Sequence, residues 1–333
     1  LDITSDHDNF SQVVELAANL MKDPKLSQKE FEIVHQRALD ELKSRRTDPM
    51  RMAMSELHKL KNPFAPESIH YAYPLEEKIE QLKMVSLQDI ETVYRELYGA
   101  NHMEAAVVGD FDPVIIEEIE KHFGSWASAQ PYEPILMPYI TPLSESRTIL
   151  VPDKQMAVVT LGTNFTMRDD DLYYPAMVLG HYIFGENMKS RLFQRLREKE
   201  GLSYGTKSYM SVSLFEPAAD ITCYAMCPTD KADHTMAVLE EEYQRWVNEG
   251  ITEDELKEAK VSYQLFFKNL LADDDYVLHT LASMLKVNRT FGYYAQLLNQ
   301  IEQLRAEDIR TALEIYLKPA PIAKVKAGAF KKS

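Results

Sequence analysis

The chain has 333 residues, of which 45% are hydrophobic and 27% charged, as in a water-soluble globular protein of one large or two medium domains. A chain of this length buries about 75% of the surface that it exposes when unfolded, so it needs no disulfide or structural metal to form a core. The 37 Lys and Arg against 52 Asp and Glu give a net charge of −15, which argues against a nucleic-acid partner.

The apolar segments of the sequence are short. None approaches the roughly 18 residues that a membrane-spanning helix requires. Residues 1–10, LDITSDHDNF, lack the basic and apolar regions of a signal peptide. We therefore expect no membrane span.

The first clear helix pattern begins with a capping box and returns later in the chain. Ser27 and Glu30 precede an amphipathic segment that runs to Asp48, and Thr252 and Glu255 precede another, 225 residues later, that runs to an acidic break at 273–275. Shorter matches keep the same order: residues 79–82 (IEQL) return at 301–304, 89–90 (DI) at 308–309, and 109–111 (GDF) at 328–330 (GAF). This pattern indicates a duplicated domain.

The second copy has more sequence in front of it than the first. Residues 147–165 alternate in part and predict strand, a long helix follows, and residues 203–227 predict a strand pair. The next helix carries apolar residues at helical spacing, namely Met236, Leu239, Tyr243, Trp246 and Val247.

These patterns predict an α+β fold in which two-layer sheet-and-helix domains stand in tandem, the first one truncated. Residues 1–125 are predicted to be the back half of a domain. Residues 126–144, which are rich in proline, are predicted to be a linker. Residues 145–333 are then a complete second domain, and the front of the first copy would fall before Leu1.

Common local motifs of catalysis and metal binding are absent from the sequence. The nine histidines include no two that lie three or four residues apart, which excludes a two-histidine metal clamp on one helix. Cys223 and Cys227 cannot complete a zinc site by themselves and are predicted to be packing residues. The acidic run 273–275 lacks the glycine and glutamate of a calcium loop and is predicted to be a solvated helix break.

The segment from Gly185 to Ser208 has the densest functional pattern. Its glycines and Asn187 allow a helix to end and the backbone to turn before a basic run. Arg197 and Tyr204 lie seven residues apart across the turn that follows, where a guanidinium and a phenol could converge on a peptide carbonyl or carboxylate. The alternative is that Arg197 forms a salt bridge and Tyr204 is a core residue.

Two segments resemble the pitrilysin/insulinase-like zinc metallopeptidases, the inverted zincins. Residues 190–205, SRLFQRLREKEGLSYG, closely resemble the family's Ser-Arg-Leu-Phe-Gln-x-x-Arg-Glu-Lys-x-Gly-Leu-x-Tyr motif, and residues 97–113 resemble the family's strand that ends in Val-Gly-Asp-Phe-Asp. The resemblance implies repeated α+β domains that close around an unfolded peptide, with zinc held by His-x-x-Glu-His and a downstream glutamate. It also implies that Arg197 and Tyr204 bind substrate.

Carried over by position, the resemblance places no complete zinc site on this chain. Glu41 matches the downstream zinc ligand, so it is a metal candidate only if a zinc motif precedes Leu1. Its counterpart in the second copy is Phe266, and residues 180–186, where the zinc helix would correspond, contain no His-x-x-Glu-His. His181 is accordingly interpreted as a helix-packing residue. We expect no catalytic residue, no metal and no cofactor on this chain, and zinc in the parent enzyme.

Residues 44–90 most resemble the third domain of long, four-domain bacterial members, whose C-terminal half lacks the zinc motif. The leading hypothesis is therefore a non-zinc half that forms the substrate-enclosing chamber and contacts an unfolded peptide. It would work with the zinc-bearing half of the same protein or with a partner subunit, and this chain alone would be inactive.

Two alternatives remain open. The chain could be part of an active two-domain zinc endopeptidase, or an inert scaffold subunit of the same fold, comparable to the core subunits of respiratory complexes. Substrate, cleavage preference, oligomeric state and compartment are not determined by the sequence, although the bacterial resemblance favours the periplasm.

Overall fold

The computed structural model describes residues 1–330, which divide into two compact units. Unit 1 comprises Leu1–Leu42, Glu76–Ile135 and Asn269–Thr290, and unit 2 comprises Lys43–Leu75, Leu136–Lys268 and residues 291–330. Neither unit is continuous in sequence.

Helices account for most of the regular structure in both units. In chain order they are α1 (Phe10–Lys22), α2 (Gln28–Ser44), α3 (Pro49–Lys61), α4 (Leu75–Met84), α5 (Leu87–Leu97), α6 (Val114–Phe123), α7 (Tyr174–His181), α8 (Arg191–Phe193), α9 (Ala232–Glu249), α10 (Glu253–Leu270), α11 (Asp274–Leu285), α12 (Gly292–Gln303) and α13 (Ala306–Tyr316). The helix α7 continues as a π-helical segment, Tyr182–Glu186, and α8 continues as another, Gln194–Lys199. Short 3-10 turns occupy His7–Asn9, Arg45–Thr47 and Thr229–Lys231.

Unit 2 contains a five-stranded sheet with the strand order β1-β5-β2-β4-β3. The strands are β1 (Ser146–Leu150), β2 (Met156–Phe165), β3 (Gly205–Val212), β4 (Ala219–Pro228) and β5 (Ala323–Gly328). Strands β1 and β5 pair in parallel, and the other neighbours pair antiparallel. The segment 147–165, predicted as a single strand, forms two strands, β1 and β2, because the chain turns between residues 150 and 156. The strand pair predicted within 203–227 is confirmed as β3 and β4.

The core of unit 2 lies on both faces of the sheet. Val159 and Leu161 of β2 pack into the larger cluster with residues of α7, α9 and α13. Val158, on the opposite face, packs with Leu57 and Leu60 of α3. The predicted α+β fold class is confirmed, and the second face of the sheet is covered by α3.

Helix α9 forms where its apolar spacing predicted it. Leu239, Tyr243, Trp246 and Val247 are buried, while Met236 is partly buried against the same cluster. The positions recur three or four residues apart, so they share the face of α9 that packs on the sheet.

Among the described residues, all regular secondary structure of unit 1 is helical. Val14 and Ala18 of α1 pack against Ile115 and Phe123 of α6 in a small core. Residues 103–108, which resemble a strand of the family in sequence, form no strand here. A strand needs a neighbour for its backbone hydrogen bonds, and unit 1 offers no other strand among the described residues.

The sequence repeat is visible in the helices. Helices α2 and α10 both begin after a capping residue, and α5 and α13 have the same length with bounds offset by 219 residues. Asp48 caps α3 through Met50 N at 2.9 Å, and Asp273, 225 residues later, caps α11 through Tyr276 N at 3.0 Å. The interpretation of 273–275 as a helix break is confirmed.

The equivalent helices α3 and α11 lie in different units. Helix α3 packs on the sheet of unit 2, whereas α11 belongs to unit 1. Gly162 permits the close approach of α3, since a Cβ there would lie 2.9 Å from Lys61 Cδ and 3.1 Å from Leu57 Cδ2. Residues 126–144 contain no helix or strand, and the predicted copy boundaries remain predictions.

Candidate functional site

The segment between α7 and β3 is built around a helix end that packs tightly on the sheet. A Cβ at Gly185 would lie 2.5 Å from Ser208 Cβ, so only glycine permits this approach without movement. Asn187 ends the π-helical segment: its Nδ2 donates to Tyr182 O at 3.0 Å, and its Oδ1 accepts from Lys189 N at 2.8 Å. The predicted role of Asn187 in ending a helix is confirmed, whereas Gly185 lies inside the π-helical segment and permits its close packing on β3.

Arg191 fixes the start of the basic run to helix α10. Its Nε and Nη2 donate to the two carboxylate oxygens of Glu255, both at 2.6 Å. The same carboxylate accepts from Thr252 N at 2.8 Å and from Thr252 Oγ1 at 2.9 Å, which completes the predicted capping box. Burial alone would raise the pKa of Glu255, but the bonds from Arg191 and Thr252 outweigh it and lower the pKa to about 2.

Arg197 and Tyr204 are neighbours in space. Arg197 Nη1 donates to the main-chain oxygen of Tyr204 at 3.0 Å, and its guanidinium lies over the ring of Phe193, 5.2 Å from the centroid. Gly201, with φ of +58°, makes the turn that brings them together, and Leu202 N closes it on Leu196 O at 2.9 Å. The guanidinium and the backbone of Tyr204 therefore share one exposed corner.

The side chain of Tyr204 is exposed to solvent and does not belong to the core. Tyr204 is 63% exposed and Arg197 is exposed, so the alternative of a core tyrosine is excluded for this chain. No ion pair of Arg197 occurs among the described residues. Substrate contact by these two residues remains a prediction.

Tyr204 leads directly into an edge strand. Strand β3 has β4 as its only strand neighbour among the described residues. Its outer face carries Lys207, whose Nζ lies 5.0 Å from the ring centroid of Tyr209, and the Tyr209 ring stacks on Tyr224 at 6.1 Å. A free strand edge beside exposed aromatic and cationic groups can accept an extended peptide by strand addition.

His181 lies in the core. It is buried, its Nε2 is 3.0 Å from Ser208 Oγ, and its Nδ1 is 3.7 Å from Glu186 Oε2. The interpretation of His181 as a helix-packing residue is confirmed.

Aromatic rings occupy the place where the resemblance would put a zinc site in the second copy. Phe266 on α10 lies 5.8 Å from the ring of Tyr182, which belongs to the segment matching the zinc helix. Tyr263 packs against both, at 5.2 Å from Tyr182 and 6.0 Å from Phe266. These side chains do not fit a zinc ion, because zinc in proteins binds thiolate, imidazole and carboxylate ligands.

Glu41 is exposed on α2 in unit 1. A carboxylate is a chemically suitable zinc ligand, so Glu41 itself would fit such a role. Among residues 1–330, however, no three His, Cys, Asp or Glu side chains form a group that could hold a metal ion. Within the same residues, no helix is both long and apolar enough to span a membrane.

The two cysteines are packing residues, as predicted. Cys223 and Cys227 are unbonded to each other and fully buried on the same face of β4. Burial raises the pKa of the Cys223 thiol to about 12, which keeps it protonated and unreactive.

The sequence did not predict two of the charged pairs in unit 2. Arg191 and Glu255 lie 64 residues apart, and Lys61 and Asp220 lie 159 apart. The repeat shows which residues of the two copies are equivalent. It does not show which helices and strands contact each other. Only the capping box hinted that Glu255 has a structural role.

Comparisons with known proteins identify a family and a fold. A family model described as the peptidase M16 inactive domain matches residues 84–263. A relative from Helicobacter pylori, named non-peptidase homolog YmxG, is 23% identical over 250 residues, covering 71% of this chain and 54% of the relative. An uncharacterized zinc protease of Rickettsia felis is 27% identical over 226 residues, covering 66% of this chain and 52% of the relative.

The chain spans about half the length of these curated relatives. One is named a protease and the other a non-peptidase, so the names do not decide activity. Among solved structures, a peptidase M16 inactive domain from Pseudomonas fluorescens has a TM-score of 0.82 at 19% identity, covering 98% of this chain and 76% of that chain. This likeness concerns the fold alone.

Proposed function

The chain belongs to the peptidase M16 inactive-domain family, and from this membership we propose that it serves as the non-zinc half of a zinc metallopeptidase. In this role it forms part of the wall of a chamber that encloses an unfolded peptide, while another half supplies the metal and the general base. Enclosure orients an extended chain and excludes folded proteins, which favours reaction at one peptide bond. Alone, this chain is expected not to hydrolyse peptides.

The observation that carries the proposal is the aromatic packing of Phe266, Tyr182 and Tyr263. These rings lie where the resemblance would place the zinc of an active half. A buried aromatic cluster stabilises the contact between α10 and the end of α7 through apolar burial and edge-to-face geometry. The second copy therefore has a structural reason to keep its shape without a metal.

The peptide contacts that we assign to this half are Arg197 and Tyr204. Both are exposed at the start of the edge strand β3, where a peptide can pair with the free strand edge. The guanidinium supplies several N–H donors for peptide carbonyls, and the phenol supplies one O–H donor.

Replacing Arg197 by alanine, or Tyr204 by phenylalanine, is expected to lower kcat/KM of the intact protein for peptides about tenfold, because each removes one hydrogen bond to substrate. The zinc content should stay unchanged, and the unfolding free energy should fall by no more than about 1 kcal/mol, because the contacts that Arg197 makes within the protein are exposed. Lys199→Ala, an exposed cation of the same segment, is the matched control. If both variants hydrolyse peptides at the wild-type rate, Arg197 and Tyr204 do not contact substrate.

We also propose that the first copy is completed by a further sheet-and-helix layer equivalent to residues 145–250. On α5, Ile90 is 40% exposed, whereas its repeat equivalent Ile309 on α13 is fully buried beneath such a layer. Val93 is likewise exposed, and its equivalent Ala312 is buried. An apolar face at these repeated positions fits the same kind of cover.

A charge at Ile90 tests this completion. Ile90→Glu is expected to lower the unfolding temperature of the intact protein more than that of residues 1–333, because only the intact protein would cover the exposed part of the side chain. Gln88→Glu, on an exposed position of the same helix, controls for the added charge. Equal melting of the wild-type and Ile90→Glu intact proteins would contradict the proposal.

A second candidate function is an active two-domain zinc endopeptidase in which Glu41 is a zinc ligand. It is favoured by the exposure of the Glu41 carboxylate on α2, in contrast to the packed ring of its equivalent Phe266. The distinction lies in whether the intact protein needs Glu41 to hold zinc.

Zinc analysis of the intact protein separates the two candidates. With the leading proposal, Glu41→Gln should leave the bound zinc unchanged, because this half contributes no ligand. With the second candidate, removal of a ligand should weaken zinc binding at least about tenfold. Glu30→Gln, which alters an exposed carboxylate at the start of the same helix, is the control.

A further inference from the structure

Strand β3 has an unused hydrogen-bonding edge. The strand pairs with β4 along Gly205–Val212. Apart from that pairing, no main-chain group of residues 206–212 forms a hydrogen bond within residues 1–330. Alternate N–H and C=O groups of an edge strand point away from its neighbour, so β3 can pair with an extended chain. The side chains beside the edge then decide which chain it accepts.

Three residues of β3 share one face of the sheet beside this edge, namely Gly205, Lys207 and Tyr209, because successive side chains of a strand alternate between the faces. Gly205 pairs with Met226 of β4, which packs against the cluster of α3, so this is the face that α3 covers over β2. At β3 the face is open, since Tyr209 is 49% exposed. We call these three residues the β3 shelf.

Gly205 leaves free space at the start of the shelf. Its φ is not positive, and a Cβ there would meet no atom within 4 Å, so neither the backbone nor the packing requires glycine. Glycine within a strand costs stability and often marks a place where a ligand or another chain approaches closely. The space lies beside the partly buried Met226, and a large apolar side chain fits such a neighbour.

Lys207 supplies a positive charge in the middle of the shelf. Lys207 and Asp220 are the only charged residues of β3 and β4. Asp220 bonds to Lys61 Nζ, whereas Lys207 has no hydrogen bond or ion pair within residues 1–330. Lys207 is partly exposed and its Nζ is not buried, so a bound group can reach the ammonium.

Tyr209 supplies an apolar surface at the far end of the shelf. Its ring stacks on Tyr224, with the centroids 6.1 Å apart and the planes 17° apart, and this contact holds the ring in place. The ring also lies 5.0 Å from Lys207 Nζ, so the cation is positioned over the sheet. An aromatic surface of this kind favours an apolar or aromatic side chain.

Other occupants of the edge fit the shelf less well. A basic peptide would be repelled by Lys207 and by Arg197, which is exposed and has no ion pair among the described residues. A second copy of this chain, paired through its own β3, would bring no acidic side chain to the shelf, because Lys207 is the only charged residue of that strand.

We propose that the edge of β3 pairs with an extended peptide that carries an acidic side chain opposite Lys207. Large apolar side chains two residues before and after it lie over Gly205 and Tyr209. Residues two apart in an extended chain point to the same face, so all three reach the shelf together. This assignment rests on the proposed role as a peptide-enclosing half and names the class of peptide.

Fluorescence anisotropy of the full chain with short labelled peptides tests the proposal. The probe is Thr-Leu-Thr-Glu-Thr-Leu-Thr with blocked ends and a dye without net charge, and its symmetric pattern fits either strand direction. Replacing its Glu by Gln should weaken binding about threefold, and by Lys about tenfold. Replacing both Leu by Ala should weaken binding about tenfold. Added salt should reduce the preference for Glu over Lys.

Two variants assign these preferences to the shelf. Lys207→Glu should reverse the charge preference, so that the Lys peptide binds more tightly than the Glu peptide. Gly205→Val should fill the free space without unfolding the strand and should remove most of the preference for Leu over Ala. Lys257→Glu makes the same charge change at an exposed position of α10 and should keep the wild-type preferences.

The proposal is overturned if the Glu and Lys peptides bind equally well, or if Lys207→Glu keeps the wild-type preference. It is also overturned if no peptide binds at millimolar concentration, or if sedimentation shows a stable dimer that binds no peptide, since a second copy would then cover the edge. Peptide binding without charge preference would leave the proposed function standing. That function is tested separately by the zinc content and peptide hydrolysis of the intact protein.

Discussion

Replacing Arg191 by alanine is expected to destabilise the protein by about 3–5 kcal/mol, because it leaves the Glu255 carboxylate partly buried without its cation. The side chain of Arg191 is 12% exposed, and its two bonds to Glu255 are short and parallel. Glu255 also caps α10, so the loss would reach the helix start that the pair holds against the Arg191 segment. Urea unfolding followed by circular dichroism measures the change.

A surface ion pair provides the matched control. Arg310 and Glu314 lie 3.7 Å apart on α13, and both side chains are about half exposed. Such pairs contribute less than about 1 kcal/mol, so Arg310→Ala should unfold at nearly the wild-type urea concentration. Equal effects of the two alanine variants would mean that the Arg191 pair adds little to stability.

The pH dependence gives an independent readout of the same pair. The pKa of Glu255 is lowered from 4.5 to about 2 in the folded protein, so its contribution is complete above pH 4.5 and is lost as the pH falls towards 2. That shift corresponds to about 3 kcal/mol across this window. Arg191→Ala should therefore lose less stability than the wild type between pH 4.5 and 2. Parallel stability curves would contradict the assignment.

Local signals in the sequence predicted local structure well. The capping boxes at Ser27 and Thr252 mark the starts of α2 and α10, and the apolar spacing between 236 and 247 gives the buried face of α9. Both signals depend on residues within one or two turns of each other. The repeat also indicated that α5 and α13 are equivalent, and the two helices have equal length. The helix propensities of single residues cannot show such an equivalence.

Contacts between elements that are distant in the sequence could not be predicted from local patterns or from the repeat. The repeat shows that α3 and α11 are equivalent, but it does not determine on which unit each helix packs. Asn164 and Glu216 belong to different elements and line one cavity, yet they appear in the sequence as ordinary polar residues. Sequence spacing placed Arg197 near Tyr204 only because a single turn at Gly201 joins them.

The resemblance to the family was most informative at a position where this sequence departs from the family pattern. By the resemblance, Phe266 stands where an active copy would have a glutamate, and its ring packs against the ring of Tyr182. An aromatic residue at such a position is stabilised when other apolar side chains cover its ring.

Replacing Leu60 by alanine is expected to destabilise the protein by about 3 kcal/mol, because it opens a cavity between α3 and the sheet. Leu60 is 1% exposed and packs with the strand residues Val158 and Val325. Its repeat equivalent, Leu285 on α11, is 42% exposed. Leu285→Ala removes the same atoms at the equivalent position of the other copy and should cost less than about 1 kcal/mol.

Comparing Leu60→Ala with Leu285→Ala tests whether α3 stabilises the sheet of unit 2 while its repeat equivalent α11 does not. If α3 is an integral layer of unit 2, Leu60→Ala should lower the stability of the sheet, measured as faster hydrogen exchange of the β2 and β5 amides. Leu285→Ala should leave the exchange of those amides at the wild-type rate. Equal unfolding free energies for the two variants would mean that α3 does not stabilise the sheet, and that the second face of β2 depends on other contacts.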